Sequence, residues 1–253
     1  MDDIYAGEYE ELFERHWWWR AKEAYLLAKL RKIVPQGGFG PILDVGCGNG
    51  LFFDELRAFG DPEGVEINGS IVDDRGYSRG HIYVEPFGSD FRPGKRYGLI
   101  LMADVLEHFA EPSDSLRHAA SLLADGGLLA ITVPAFNCLW TFHDDVNHHL
   151  TRFTRRGLRE VLGKSNLVTA RLEYFHHWLF PLKLLVRLAE VGRSAPVNGR
   201  FATVPRWPIN GVMLGLCRVE HALFRNLPVP FGSSLFALVQ RSGDRDPWAS
   251  AGA

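Results

Sequence analysis

Three groups of residues in this chain have the types and spacing that chemistry requires. The first is Leu43-Asp44-Val45-Gly46-Cys47-Gly48-Asn49-Gly50, an apolar strand running into three glycines and then a helical pattern. Glycines let the backbone turn sharply and approach a ligand with no Cβ in the way. A dinucleotide loop of the GxGxxG kind needs a glycine at position 51, which is Leu51. That spacing counts against a nicotinamide-dependent oxidoreductase. Asp44 is badly placed for a pyrophosphate and suits a cationic group, such as an amine or a sulfonium. About twenty residues on, Glu66 ends a second apolar segment, the interval that places a ribose-binding acid in βαβ nucleotide sites. Its carboxylate can accept from two vicinal hydroxyls at once. A purely structural glycine turn leaves both acids unexplained.

The second group is Asp104, Glu107 and His108, a D-x-x-E-H arrangement that could bring three ligands to one point. The alternative is that Glu107 and His108 cap a helix or bond the backbone. The third is His143, Asp144, Asp145, His148 and His149, followed by Arg152. A histidine that titrates near neutrality can serve as a general base, and Arg152 is the natural anchor for an acidic acceptor. The alternative is a loop tied down by His–Asp hydrogen bonds. Zinc is not expected, because no cysteine pair accompanies the histidines. The run His16-Trp17-Trp18-Trp19-Arg20 adds a fourth feature. Neighbours on a helix point about 100° apart, so at least one indole covers a ligand or a second element, or clamps the helix between core and lid.

These groups need elements to carry them. Residues 8–34 read as helix, stopped by Pro35-Gln36-Gly37-Gly38. Strands follow at Pro41–Val45, Pro62–Ile67, His81–Val84, Gly98–Ala103 and Leu128–Val133, alternating with helices at Leu51–Phe59, Ile71–Arg79 and Ser113–Leu123. Such alternation calls for a parallel sheet covered on both faces. A helix at Thr154–Gly163, a strand at Val168–His176, helices at Phe180–Val191 and Asn210–Phe224, and a strand at Ser233–Gln240 complete the chain. The expected fold is α/β: a Rossmann-like, seven-stranded, mostly parallel sheet with helices on both faces, the last strand antiparallel. Its parts are an N-terminal lid helix (1–40), a core (41–177), a helical insertion or lid (178–230), a last core strand (231–241) and a disordered tail (242–253).

Bulk properties exclude several classes. The net charge of -2, without a dense basic tract, gives no general attraction to nucleic acid. Cys47, Cys138 and Cys217 are scattered and odd in number, which fits a reducing compartment. The acidic start, Met1-Asp2-Asp3-Ile4, lacks the order of a secretory signal. The longest apolar stretch, Trp178 to Val191, is interrupted by Lys183, Arg187 and Glu190 and is too short to cross a bilayer. A cytoplasmic protein is expected. Lys183 and Arg187 could face phosphates, and the apolar helices around them are a membrane-lying lid, a dimer interface or the core of a substrate domain.

The motifs resemble those of class I S-adenosylmethionine (SAM)-dependent methyltransferases. Leu43–Gly50 is similar to their motif I and Gly64-Val65-Glu66-Ile67 to their acidic motif. Met102 to His108 resembles the fourth-strand motif of the ubiquinone/menaquinone-biosynthesis-like subgroup, and Leu122 to Leu129 the turn before strand five. The aromatic segment at 16–20, the stretch from Val133 to Thr154 and the closing Pro230 to Leu235 are similar to a bacterial subgroup, type 11 or 12, whose substrates are mostly unassigned. Two positions depart from the pattern: Asp125 replaces a turn proline, and Gly98 stands where strand four usually opens with aspartate.

The resemblance implies SAM as cofactor. It places Asp44, Gly46, Cys47, Gly48 and Gly50 along the methionine part, Glu66 on the ribose hydroxyls, Ile67 on adenine, Asp90 and Phe91 beside the adenine ring, and Ala103 and Asp104 beside the methyl donor. In ubiquinone-type O-methyltransferases a comparable acid-x-x-Glu-His group goes with a divalent metal that lowers the pKa of an acceptor phenol. No metal is expected here; Asp104, Glu107 and His108 are the set that would hold one. His143 and His149 match the subgroup pattern and are the preferred bases, with Asp104 and His108 beside them. Trp18, Arg20, Trp140 and Arg152 are the expected acceptor-binding residues. The implied activity is methyl transfer to a small-molecule or lipid-linked acceptor. A non-catalytic SAM-binding partner subunit is the main alternative.

Overall fold

The computed structural model describes residues 10–72, 78, 80–193, 203–224 and 227–244. Residues 10–15 are helical, His16 is extended, and helix α1 runs from Trp17 to Leu30. The helix expected over 8–34 is therefore broken. His16 is the reason: its side chain accepts from the Trp18 backbone N–H and caps α1.

Strand β1 (Pro41–Val45) is followed by helix α2 (Phe53–Leu56), β2 (Asp61–Glu66), β3 (Ile82–Val84), β4 (Tyr97–Ala103), α3 (Pro112–Leu122) and β5 (Leu123–Pro134). Then come α4 (Phe142–Val146), α5 (Arg155–Lys164), β6 (Leu167–Phe175), α6 (Leu179–Glu190), α7 (Ile209–Phe224) and β7 (Ser234–Arg241). The helix expected at Leu51–Phe59 is only one turn long, flanked by turns. The one expected at Ile71–Arg79 falls mostly outside the described residues, and so does the tail beyond Asp244. β5 starts at Leu123 rather than Leu128. It absorbs Gly126-Gly127 as an irregularity, since Tyr97 pairs with Leu123 but Leu99 with Leu128.

The sheet order is β3-β2-β1-β4-β5-β7-β6, with β7 antiparallel to both of its neighbours. The order reverses between β1 and β4, so their carboxyl ends open a crevice at the topological switch point. Side chains alternate across the strands and form two core layers. Leu43, Val45, Ile100, Met102 and Ile131 pack against Leu116, Leu158 and Leu162 on one face. Ile42, Leu99, Leu101, Phe236 and Leu238 pack against Leu26, Leu27 and Leu30 of α1 on the other. Helix α7 lies on α1: Asn210 accepts from the Trp17 backbone N–H (2.9 Å) and donates to the Arg15 carbonyl (2.8 Å). Among the described residues no helix is long and apolar enough to cross a membrane.

Candidate functional site

At the end of β1 the chain turns through Gly46, Gly48 and Gly50, all with positive φ. A Cβ on Gly46 would meet Val105 at 2.7 Å, so sterics as well as backbone conformation demand glycine there. Glu66, at the end of β2, holds the loop. Its carboxylate accepts from the backbone N–H of Gly48 (3.0 Å) and of Asn68 (2.9 Å). Each carboxylate oxygen keeps a further lone pair for a ligand hydroxyl. Asp44 is buried, and among the described residues no ion pair reaches it. Burial, and then the charge of Glu66, push its carboxyl up to about 7. A ligand cation would relieve that cost. Ile67, just past the strand, is 72% exposed and offers a flat apolar surface for a base. A buried acid wanting a cation, a pinned ribose-type acid and an exposed apolar residue together fit SAM.

Two expected cofactor residues need correction or refinement. The Phe91 ring is fully buried in the main core against Tyr83 and Phe87, which leaves its backbone and the exposed neighbours Asp90 and Arg92 as the parts of this loop that a ligand could meet. Cys47 turns its thiol into the protein against Gly64, where burial raises its pKa, and only its backbone belongs to the loop.

At the end of β4, Ala103 is exposed and Asp104 has φ of 56°. Asp104 accepts from Thr132 Oγ1 (3.3 Å) and forms an ion pair with Lys22 of α1. It is therefore engaged away from Glu107 and His108. The set within reach of one ion is instead Glu107, His108 and His149, whose ligand atoms lie within 4.8 Å of one another.

Asp144 is the hub of the opposite wall. It forms a capping box with Thr141 at the start of α4. Arg152 grips it through Nε and a terminal nitrogen, both at 2.8 Å, and His149 Nδ1 meets Oδ1 at 2.8 Å. Burial alone would raise the Asp144 carboxyl, but the hydrogen bonds from His149 and Arg152 outweigh it and hold it well below the usual carboxylate range. Arg152 gives its remaining contact to the Ala135 carbonyl (3.1 Å) and is buried. Three of its five N–H donors are thereby engaged within the protein, so its charge is first of all the partner of Asp144. His149 Nε2 faces Glu107 Oε1 at 3.9 Å, and its ring sits 4.9 Å from that of His108. Glu107 is fully buried, neither carboxylate oxygen has a hydrogen-bond partner among the described residues, and burial pushes it up to about 7. Burial, and then Lys183, push His143 down to about 3, which makes it a weak base.

Trp18 lies among these groups, with the charge of Arg152 felt by both lysines beside it, whereas Arg20 stands apart. Lys22 Nζ stands 4.7 Å and Lys183 Nζ 5.0 Å from its ring centroid, and His176 is 4.9 Å away. Lys183, on α6, meets no carboxylate among the described residues; burial, and then Arg152, bring its pKa down to about 7. Beyond His176 lies a cavity of about 630 Å³ between α1, β6 and α7. Arg20 is exposed and lines a separate polar recess with Glu14, Glu23 and Asp54. Trp140 gives its indole N–H to Asp145 (2.8 Å). Lys22 and His176 were not read from the sequence, and no local pattern marks them. No helix is expected from the sequence at α4; the Thr141-x-x-Asp144 spacing is the local signal that marks it.

A family model described as "Methyltransferase domain" matches residues 18–172. The ubiquinone biosynthesis O-methyltransferase of Roseobacter denitrificans is 30% identical over 98 residues, covering 34% of this chain and 38% of that protein. The enzyme of the same name from Coxiella burnetii is 26% identical over 98 residues, 35% of this chain and 41% of that protein. The chain thus spans about two-fifths of the length of these relatives. Among solved structures, a Haloferax volcanii methyltransferase in complex with the Trm112 activator superposes with a TM-score of 0.59 at 18% identity, covering 94% of this chain and 95% of that one. A SAM-dependent methyltransferase from Archaeoglobus fulgidus gives 0.51 at 14% identity, covering 87% and 94%. At these identities the likeness shows the fold.

Proposed function

The chain belongs to the methyltransferase-domain family, of the class I type that uses SAM, and from that premise we propose that it moves a methyl group to an oxygen or nitrogen of a small or lipid-linked acceptor, with His149 as the base. SAM supplies an electrophilic methyl on a sulfonium that is already a good leaving group. The residues of the chain bind, orient and move a proton. Asp44 takes the cationic amino end, the N–H groups and open faces of Gly46 to Gly50 admit the methionine part, Glu66 accepts from the ribose hydroxyls, and Ile67 lies along the base.

One observation carries the assignment of the base. Asp144 holds His149 through Nδ1, which leaves Nε2 facing the cluster at the end of β4. Arg152 keeps Asp144 ionised, so the carboxylate stabilises the imidazolium that forms when Nε2 accepts the acceptor's proton. Lys183, without an ion-pair partner among the described residues, supports an acceptor with a carboxylate or phosphate near Trp18. Replacing His149 by alanine, with SAM affinity and turnover measured separately, tests this: affinity stays and turnover falls. Unchanged turnover removes His149 from the role.

A second reading rests on the grouping of Glu107, His108 and His149. These residues have the donor set for a divalent cation, which would lower the pKa of an acceptor hydroxyl. Turnover insensitive to a chelator rejects it. The nicotinamide alternative lapses with the family assignment.

A further inference from the structure

Helix α6 carries apolar residues outward as well as inward. Its covered stripe is Leu179, Phe180, Lys183, Leu184, Arg187 and Glu190, while Leu182, Leu185, Val186 and Leu188 are exposed. A surface helix of an isolated globular protein keeps its outer face polar. Helix α7 also faces outward with apolar residues: Leu214, Cys217 and Glu220 are buried, and Ile209, Val212, Leu216, Val219 and Leu223 are exposed along one stripe. Trp207, just ahead of α7, is 86% exposed. Apolar exposure on this scale marks an interaction surface.

Charge decides what covers it. Between Glu190 and Glu220 the sequence holds four arginines and no acidic residue. Both glutamates are turned to the protein: Glu190 accepts from the Phe142 backbone N–H (3.0 Å), and Glu220 from those of His177 (2.8 Å) and Trp178 (3.1 Å). Among the described residues of 178–224, the exposed charges are Arg193, Arg206 and Arg218, all positive; Arg218 turns toward α1, where it shares the recess of Glu14, Glu23 and Asp54, so Arg193 and Arg206 are the ones beside the apolar stripes. A second copy of the same surface would set cation against cation, whereas an anionic surface complements it. An exposed indole next to an arginine suits the boundary between headgroups and acyl chains. Neither helix can cross a bilayer, so the mode is interfacial.

We propose that α6 and α7 dock this protein onto an anionic lipid surface, with the apolar stripes in the headgroup–acyl boundary and the arginines on lipid phosphates. The docking does not depend on the identity of the acceptor or of the base. Co-sedimentation with phosphatidylglycerol/phosphatidylcholine vesicles tests it, with pure phosphatidylcholine vesicles and high salt as the comparison. The protein pellets with the anionic vesicles at low salt. Partitioning drops about tenfold on neutral vesicles, because the arginines lose their anionic lipid partners. The double variant Leu216→Glu/Val219→Glu lowers partitioning at least about tenfold while SAM binding, measured by calorimetry, shows that it is folded. Trp207→Ala, a milder change outside the helix, weakens partitioning in the same direction. No pelleting on anionic vesicles at low salt overturns the proposal. So does a dimer in light scattering that Leu216→Glu dissolves, which would assign the stripe to a second copy.

Discussion

The two walls of the crevice are made of different material. The donor wall, from Asp44 to Glu66, is mostly backbone: three glycines with positive φ, two strand ends and N–H groups pinned by one carboxylate. Its parts are placed by sheet topology. The acceptor wall is made of side chains from distant segments, Trp18 and Lys22 of α1, Glu107 after β4, Asp144 and His149 beyond β5 and Lys183 of α6. One buried ion pair, Arg152–Asp144, organises the segment from 135 to 152. Damage to the donor wall should therefore register as lost cofactor affinity, and damage to the acceptor wall as lost turnover or stability.

The largest expected effect breaks the two walls apart. His149→Ala lowers turnover about 10²–10⁴-fold, the range for a lost general base, and leaves the SAM dissociation constant within about twofold. Parallel loss of both would show that the walls are not separable. Asp144→Asn leaves the Arg152 charge buried without its partner and costs about 3–5 kcal/mol, read as a lower midpoint in urea unfolding. The same pair gives a signed pH dependence. Asp144 is held below its ordinary value, so its contribution is present above the normal aspartate range and is lost as pH falls below it. Acid unfolding of Asp144→Asn should be less steep than that of the parent protein.

On the donor wall, Glu66→Ala removes charge-assisted hydrogen bonds to the ribose and weakens SAM binding about 10–100-fold. The smallest effect concerns Asp44. Its raised pKa of about 7 means that it is protonated below neutrality and ionised above. A cationic ligand prefers the ionised form, so SAM affinity rises up to about tenfold per pH unit on approaching 7 from below and then levels off. Asp44→Asn binds more weakly and abolishes the slope.

The same contrast explains what the sequence could disclose. Asp44, the glycine spacing and Glu66 are legible because they are local patterns tied to strand ends, and the mostly parallel sheet follows from βα alternation, whereas the strand order does not. Pairings such as Lys22 with Asp104, or Lys183 with Trp18, join segments far apart in the chain, and no periodicity encodes them. Arg152 looked like a free cation because nothing in its immediate neighbours shows that Asp144 already holds it. Phe91 was placed by its position after β3, but core packing claims the ring. The break at His16 carries no glycine or proline to announce it. The outward-facing apolar stripes of α6 and α7 were visible as apolar helices, but which face was covered depends on the tertiary structure.

The most direct test of the central claim is a calorimetric SAM titration of the parent protein, Glu66→Ala and His149→Ala under one set of conditions at pH 8. One site per chain is expected, weakened about 10–100-fold in Glu66→Ala and unchanged in His149→Ala. No binding to the parent protein, or equal affinity in Glu66→Ala, would contradict the claim.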